Sequence, residues 1–351
     1  MKVLYLGSVE APYQKVFWDE VSKNLEVQCV YLYSSQAGHS WDSFSSDHVT
    51  HLDMQPGRLK AFACLSSILS KFKPNFIILG GYKIPFSVFL AIYAYFFDIK
   101  LFLWLERPLP SNSFSFFLKN LYLKIYCYLI DGILAIGNDA VSHYKNLTQH
   151  VYNFPYSVDR QKFLLKNNLK NDDQKLRFIY IGQFIHRKGV MEAIEGFMMN
   201  KNMNIALTLV GGGDLDLVIE NLVMDDQRIT KLPYAKYNEI PKILHDHDVL
   251  IFPSRHDGWA LTLVESMCAG LFIMGTQFTS SFNEYITDKV NGLKIEVEAS
   301  DINNKIQWCV KNSAHVIHQG ALNQSAVANS LSNANNAAQE LKKILHTHLT
   351  K

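Results

Sequence analysis

Two acids and a helix start stand close together in the stretch Pro253-Ser254-Arg255-His256-Asp257-Gly258-Trp259-Ala260-Leu261-Thr262-Leu263-Val264-Glu265-Ser266-Met267-Cys268-Ala269-Gly270. The apolar, β-rich run 249–252 leads in, Pro253 and Gly258 break it, and 261–267 has the apolar pattern of a helix with Glu265 set among it. A helix N-terminus exposes unpaired backbone N–H groups and the positive end of the helix dipole, so it can hold a phosphate without a cationic side chain. Asp257 lies just before that point and Glu265 about one turn inside. A carboxylate accepts two hydrogen bonds side by side, which suits a vicinal diol such as a ribose or a sugar ring. Diol and phosphate together describe a nucleotide-sugar ligand.

Further candidates follow other expected strands. Gly182-Gln183-Phe184-Ile185-His186-Arg187-Lys188-Gly189 succeeds the strand 176–181. Arg187 and Lys188 could there neutralise a diphosphate, a guanidinium doing so with paired, charge-assisted bonds. Gly211-Gly212-Gly213-Asp214 after 205–210 reads either as a phosphate-type turn or as a tight strand-to-helix turn; Asp216 where a dinucleotide fingerprint wants Gly argues against NAD. In the first half, Gly80-Gly81-Tyr82-Lys83 and Trp104-Leu105-Glu106-Arg107-Pro108 each follow a strand. Glu106 is the nearest acid, a candidate base or a salt-bridge partner of Arg107. None of the thirteen histidines has a metal-ligand spacing such as His-Glu-x-x-His.

The stretch 257–265 resembles the acid, seven residues, Glu signature of the family 4 glycosyltransferases, retaining enzymes of GT-B fold found in bacterial polysaccharide biosynthesis. The resemblance implies that Glu265 binds the nucleotide's ribose and Asp257, where many members carry Glu, lies near the transferred sugar. It implies a donor site built from Gly258, Trp259, Ala260, Leu261, Gly182, Gln183 and Gly213. Lys188 matches the family's Lys before the second Gly; Gln183 stands where members often have Arg, with Arg187 as its substitute. Many members have a His near Glu106, and a subset has a Trp-x-Glu pattern like this one. Glu10 and Tyr82 are the acceptor-side expectations. Ser280-Ser281-Phe282-Asn283-Glu284 with Asn291-Gly292 resembles a family loop, in which Glu284 is either a supporting acid or a helix-start charge. Asn153 to Asp159, ending at Phe163, resembles the segment joining the halves.

The elements that must position these residues alternate. Strands are expected at 2–6, 27–33, 76–79, 101–104 and 132–136, with helices at 14–23, 58–71, 87–97, 113–128 and 138–147. The second half restarts at 176–181, followed by 190–198, 205–210, 214–222, 237–244 and 249–252. Alternation of this kind makes a parallel sheet covered on both faces, with ligands beyond the carboxyl ends of the strands. The fold expected is α/β, two Rossmann-like parallel-sheet domains facing a cleft (GT-B). The first domain is 1–163, the donor domain 164–325, and 326–351 a C-terminal helix crossing back; the polar stretch 166–175 reads as the linker. Gly7 lacks the glycine spacing of a dinucleotide fingerprint.

A chain of 351 residues that is 48% apolar can bury two cores. A net charge of +2 gives no argument for nucleic acid. Five scattered cysteines without a Cys-x-x-Cys pair indicate neither a zinc site nor a disulfide framework, and fit a reducing cytoplasm. The N-terminus lacks a signal peptide's apolar core, and the apolar run 85–105 is interrupted by Asp98 and Lys100, too short to span a bilayer. The aromatic stretch 114–129, with Lys119 and Lys124, reads either as core or as a helix lying on a membrane face.

The function expected is transfer of a sugar from a nucleoside diphosphate sugar to a hydroxyl of a glycan or polyprenyl-linked glycan, in the cytoplasm, either free or at the cytoplasmic face of the membrane. The cations and the helix dipole carry the leaving group's charge, so neither a divalent metal nor another cofactor is expected. Two alternatives share the donor site: a nucleotide-sugar epimerase of the same fold, and a non-catalytic nucleotide- or glycan-binding homologue.

Overall fold

A computed structural model describes residues 1–34, 48–52, 57–109, 114–164 and 175–349. The chain forms two compact units, Met1–Ser157 with Ala334–Lys351, and Val158–Asn333, so it passes from one to the other twice. The first crossing falls before the expected boundary at 163. Of the expected linker, 166–175, all but Lys175 lies outside the described residues.

The first unit runs β1 (Lys2–Val9), α1 (Pro12–Ser22), β2 (Glu26–Tyr33), β3 (Val49–His51), α2 (Arg58–Phe72), β4 (Phe76–Leu79), α3 (Ser87–Phe96), β5 (Lys100–Leu105), α4 (Phe114–Tyr126), β6 (Gly132–Ala135), α5 (Asn138–Tyr144) and β7 (Val151–Asn153). Its seven strands are all parallel in the order β3-β2-β1-β4-β5-β6-β7. The central strands are apolar on both faces, as a sheet covered by helices on both sides requires; Phe76, Ile77, Ile78 and Leu79 have no exposed surface.

The second unit runs α6 (Arg160–Phe163), β8 (Leu176–Gln183), α7 (Val190–Met199), β9 (Ile205–Gly212), α8 (Asp216–Val223), β10 (Ile229–Leu232), α9 (Ile240–His245), β11 (Val249–Phe252), α10 (Leu261–Cys268), β12 (Phe272–Gly275), α11 (Ser280–Tyr285), β13 (Gly292–Lys294), α12 (Ala299–Lys311) and α13 (Ser313–Ala328). Six parallel strands lie in the order β10-β9-β8-β11-β12-β13. One buried cluster packs α7 and α12 against β8, β9, β11 and β12.

The expected single helix over 326–351 is two pieces. α13 stops at Ala328 and a separate helix, α14 (Ala334–Leu349), follows. Ser330 and Asn333 cause the break, their side chains donating to the Val327 and Ala328 carbonyls at 2.9 and 3.0 Å and ending the ladder there. Within the first unit α14 packs on α1, and the His348 ring nitrogen meets the Tyr152 hydroxyl at 2.9 Å.

Candidate functional site

In each sheet the strand order reverses once next to the first strand, between β1 and β4 and between β8 and β11. Loops leaving the carboxyl ends of two such strands run to opposite faces and open a crevice where ligands bind.

In the second unit β8 ends at Gln183 and a 3₁₀ turn, His186–Lys188, follows, closed by Gly189 at φ 70°. A Cβ at Gly189 would lie 2.1 Å from the Pro253 carbonyl oxygen, so only glycine lets this turn lie against the loop after β11. Four polar contacts then tie turn and loop together. The Arg255 N–H donates to the Arg187 carbonyl at 2.8 Å, and the Arg187 guanidinium to the His256 carbonyl at 2.7 Å. The Arg255 guanidinium reaches the His186 carbonyl at 2.7 Å and Glu192 at 2.5 Å. Held this way, Lys188 Nζ sits 2.5 Å from Asp257 Oδ2 and 5.2 Å from the Phe252 ring centre. Asp257 is also fixed through its backbone: its N–H donates to the Phe278 carbonyl and its carbonyl accepts from Ser280 N–H.

Helix α10 begins three residues beyond Gly258, with Ala260 at its N-cap in an extended conformation and no side chain capping it. The N–H groups of its first two residues therefore keep their capacity for an external acceptor, while that of Leu263 donates to the Ala260 carbonyl at 3.2 Å. Glu265, deeper in the helix, is only 9% exposed, and burial raises its carboxyl to about 7. The Tyr237 hydroxyl nearby is pushed up first by burial and then by the Glu265 charge. Several buried polar atoms here find no hydrogen-bond partner among the described residues: Trp259 Nε1, Tyr237 Oη, Arg160 Nε, Thr279 Oγ1 and Ser280 Oγ. Each such orphan costs about 1–3 kcal/mol, which a ligand supplying partners would recover.

The structure thus brings together Lys188, Asp257, Gly258, Trp259, Ala260 and Leu261 around the loops after β8 and β11, with Glu265 in the same helix. Several of the expected residues also have contacts of their own within the protein. Arg187 donates through one guanidinium nitrogen to the His256 carbonyl and so braces the loop. Gly213, expected beside the donor, gives its N–H to the Asp216 carboxylate at 3.0 Å, that side chain capping the turn from inside. Gly182 and Gln183 belong to β8 and pair with Gly211 and Gly212 of β9; a Cβ at Gly211 would lie 1.9 Å from the Gly182 carbonyl oxygen. The glycines there serve strand contact. Glu284 is only partly exposed, on the short helix α11.

The first unit has its own crevice at the β1–β4 reversal. A cavity of about 190 Å³ is lined by Tyr5, Ser8, Val9, Tyr13, Gly80 and Trp104, with Tyr156 and Gln14 also on its wall. Gln14 donates to the Tyr5 hydroxyl at 3.0 Å, and the Tyr13 and Tyr156 rings lie 4.5 Å apart. Burial and then the Glu106 charge push the Tyr13 hydroxyl up. Glu10, just past β1, is buried against His51 at 3.2 Å, and its burial raises its carboxyl. Tyr82 is not part of that wall and packs on Tyr122 of α4 with ring centres 6.1 Å apart. Arg107 pairs with Asp139 at 3.2 Å. Sequence reasoning missed the aromatic wall of Tyr5, Tyr13 and Tyr156, and also Tyr237 and Arg160. The only local signal was Tyr156 within the 153–159 segment. Among the described residues no group of three or more His, Cys, Asp or Glu side chains could hold a metal ion, and no helix is long and apolar enough to cross a membrane.

Residues 161–329 match the family model described as glycosyl transferases group 1. An uncharacterized glycosyltransferase of Methanocaldococcus jannaschii is 27% identical over 137 residues, 38% of each chain. An uncharacterized 41.2 kDa protein in the cps region of Klebsiella pneumoniae is 23% identical over 223 residues, 62% of this chain and 56% of that one. The chain thus spans well under two thirds of the length of either relative. A crystal structure of the Anabaena protein HepE with UDP and glucose superposes with a TM-score of 0.78 over 99% of this chain and 100% of that chain, at 15% identity. At that identity the likeness shows the fold, the GT-B type with two parallel-sheet α/β domains.

Proposed function

From the match of residues 161–329 to the group 1 glycosyl transferases, we propose that the chain belongs to that family and moves a sugar from a nucleoside diphosphate sugar to a hydroxyl of a glycan or polyprenyl-linked glycan with retention at the anomeric carbon. The observation that carries the reading is the convergence of Lys188, Asp257 and the uncapped start of α10 on the β8–β11 reversal. UDP is the first nucleotide to test, because the HepE structure of similar fold holds it.

In this reading Glu265 accepts the two ribose hydroxyls and the diphosphate lies on the first N–H groups of α10. As the bond from the anomeric carbon to the phosphate oxygen breaks, the electron pair leaves with the diphosphate. Lys188 and the helix dipole stabilise that charge, a role worth roughly 3–4 kcal/mol per donor in comparable sites. Asp257 holds the Lys188 ammonium in place and faces the sugar. The acceptor hydroxyl supplies the new oxygen. In the first unit, the tyrosine-walled cavity at β1–β4 is the acceptor-sugar pocket, its rings suited to the C–H face of a pyranose, with Glu106 the candidate base. The charge at the leaving group is thus carried by protein groups, and no divalent metal is needed.

The test is incubation of the protein with UDP-sugars, with and without glycan acceptors, following UDP release and the anomeric proton of any product by NMR. Acceptor-dependent UDP release with an unchanged anomeric configuration supports the proposal. Conversion of the donor sugar with no acceptor present would assign an epimerase instead, and binding without any turnover would assign a non-catalytic homologue.

A further inference from the structure

α3 is apolar almost throughout, yet half of it faces solvent. Leu90, Ala91 and Ala94 are buried in the first unit's core, whereas Val88, Ile92, Tyr95 and Phe96 are 47% to 76% exposed. Their spacing of four, three and one residues puts them on one face. α4 and the 3₁₀ turn that continues it, Cys127–Leu129, repeat the arrangement. Leu123, Tyr126 and Cys127 pack inward, while Phe117, Leu121, Ile125 and Tyr128 are 45% to 83% exposed at helical spacing. The Tyr126 hydroxyl donates to the Ser87 carbonyl at 2.8 Å, so the two helices lie side by side. A contiguous apolar surface of this kind on a folded unit marks an interaction site.

The charges around it indicate the partner. Between Gly57 and Ile130 the sequence has nine lysines and arginines against two acids, Asp98 and Glu106, in a chain whose totals are 34 and 32. Exposed members of that set rim the apolar stripes. Phe62 of α2 packs 4.8 Å from Phe89, which sets the start of α2, with exposed Arg58 and Lys60, beside the start of α3. Exposed Lys83 lies in the turn just before α3, and exposed Lys124 adjoins Ile125 on α4. Aromatic and aliphatic side chains flanked by lysines, with few acids, suit the boundary between headgroups and acyl chains of an anionic bilayer.

We propose that the exposed faces of α3 and α4 dock this protein on an anionic lipid surface, with Tyr95, Phe96 and Tyr128 entering the headgroup boundary and Arg58, Lys60, Lys83 and Lys124 meeting lipid phosphates. The surface is built from first-unit residues and the β8–β11 site from second-unit residues, so membrane binding is measured without nucleotide and stands or falls independently of the transferase reading.

The experiment is flotation of the full chain with phosphatidylcholine vesicles and with vesicles containing about three parts in ten phosphatidylglycerol, at roughly 0.1 M salt where surface charges are only partly screened. Binding at least about tenfold stronger to the anionic vesicles is expected. The triple variant Tyr95→Ser, Phe96→Ser, Tyr128→Ser, with an unchanged melting temperature, should lose at least about tenfold. Lys60→Glu, Lys83→Glu, Lys124→Glu should lose as much, each surface charge counting about fivefold. Should a variant unfold, hydrogen exchange on the unmodified chain decides: anionic vesicles should protect α3 and α4 amides. No partition into anionic vesicles, partition untouched by both folded variants, or unchanged exchange in α3 and α4 would overturn the proposal. So would a dimer in vesicle-free sedimentation that the triple variant dissolves, since a second copy would then cover the face.

Discussion

Glu265→Gln should make this protein more stable at neutral pH while weakening its grip on nucleotide. Burial raises the Glu265 carboxyl from 4.5 to about 7. The native state therefore holds a proton that the unfolded chain has already lost between those two values. The stability linked to that proton is complete below pH 4.5, declines as pH rises, and is gone above about pH 7. About 2.5 pH units at about 1.4 kcal/mol each is about 3 kcal/mol. Glutamine carries no charge at any pH and keeps the shape. Wild type and variant should match near pH 4.5, and the variant should be more stable by up to about 3 kcal/mol at pH 8, a melting-temperature gain of roughly 6–12 °C for a unit of this size. Melting curves from pH 4.5 to 8 read the difference directly, with other titrating groups cancelling. Ribose hydroxyls donate to the ionised carboxylate, so nucleotide binding at pH 7 should expel up to about half a proton, visible as a buffer-dependent calorimetric heat. A wild type to variant gap that is flat with pH would refute the assignment of a burial-shifted carboxyl.

Other expectations follow from the same contacts. Lys188→Ala should cut turnover by about two to three orders of magnitude while leaving nucleotide affinity within a few fold, measured as kcat and Kd separately; an affinity loss as large as the turnover loss would place Lys188 in ground-state binding. Gly189→Ala puts a Cβ 2.1 Å from the Pro253 carbonyl oxygen at φ 70°, so it should cost roughly 1–3 kcal/mol and lower the melting temperature. An unchanged Tm would mean that the two loops are not held in contact. The proposed mechanism puts the leaving-group charge on Lys188 and the α10 start, so excess EDTA should leave UDP release unaltered; a collapse of turnover restored by Mg²⁺ would contradict that assignment.

The strand, loop and helix around Asp257 were legible because three local signals agree there: an apolar β-rich run, Pro253 with Gly258, and helical apolar spacing from Leu261. β11 has the bounds expected, 249–252, and α10 runs one residue further than expected. The edge strands were not legible. Val49–His51 and Val151–Asn153 are half-buried three-residue pieces whose only cause is pairing with β2 and β6. Such tertiary pairing leaves no periodicity in so short a run. The break after Ala328 was hidden by an Ala- and Asn-rich composition that reads through as helix. Three site details depend on partners distant in sequence or on side-chain direction: Glu10 on His51, Arg187 on the His256 carbonyl, and Gly213 on the Asp216 carboxylate. No spacing rule distinguishes a glycine turn that cradles a phosphate from one that cradles its own aspartate.

Calorimetric titration of UDP into the wild-type chain and into Glu265→Ala at pH 7.5 tests the central claim most directly. Saturable binding with one site per chain, reduced at least about tenfold by the substitution at unchanged fold, is the expected result for a carboxylate holding two ribose hydroxyls. Equal affinity in the two proteins would contradict the site, and the absence of binding by any nucleoside diphosphate to the wild type would contradict the function.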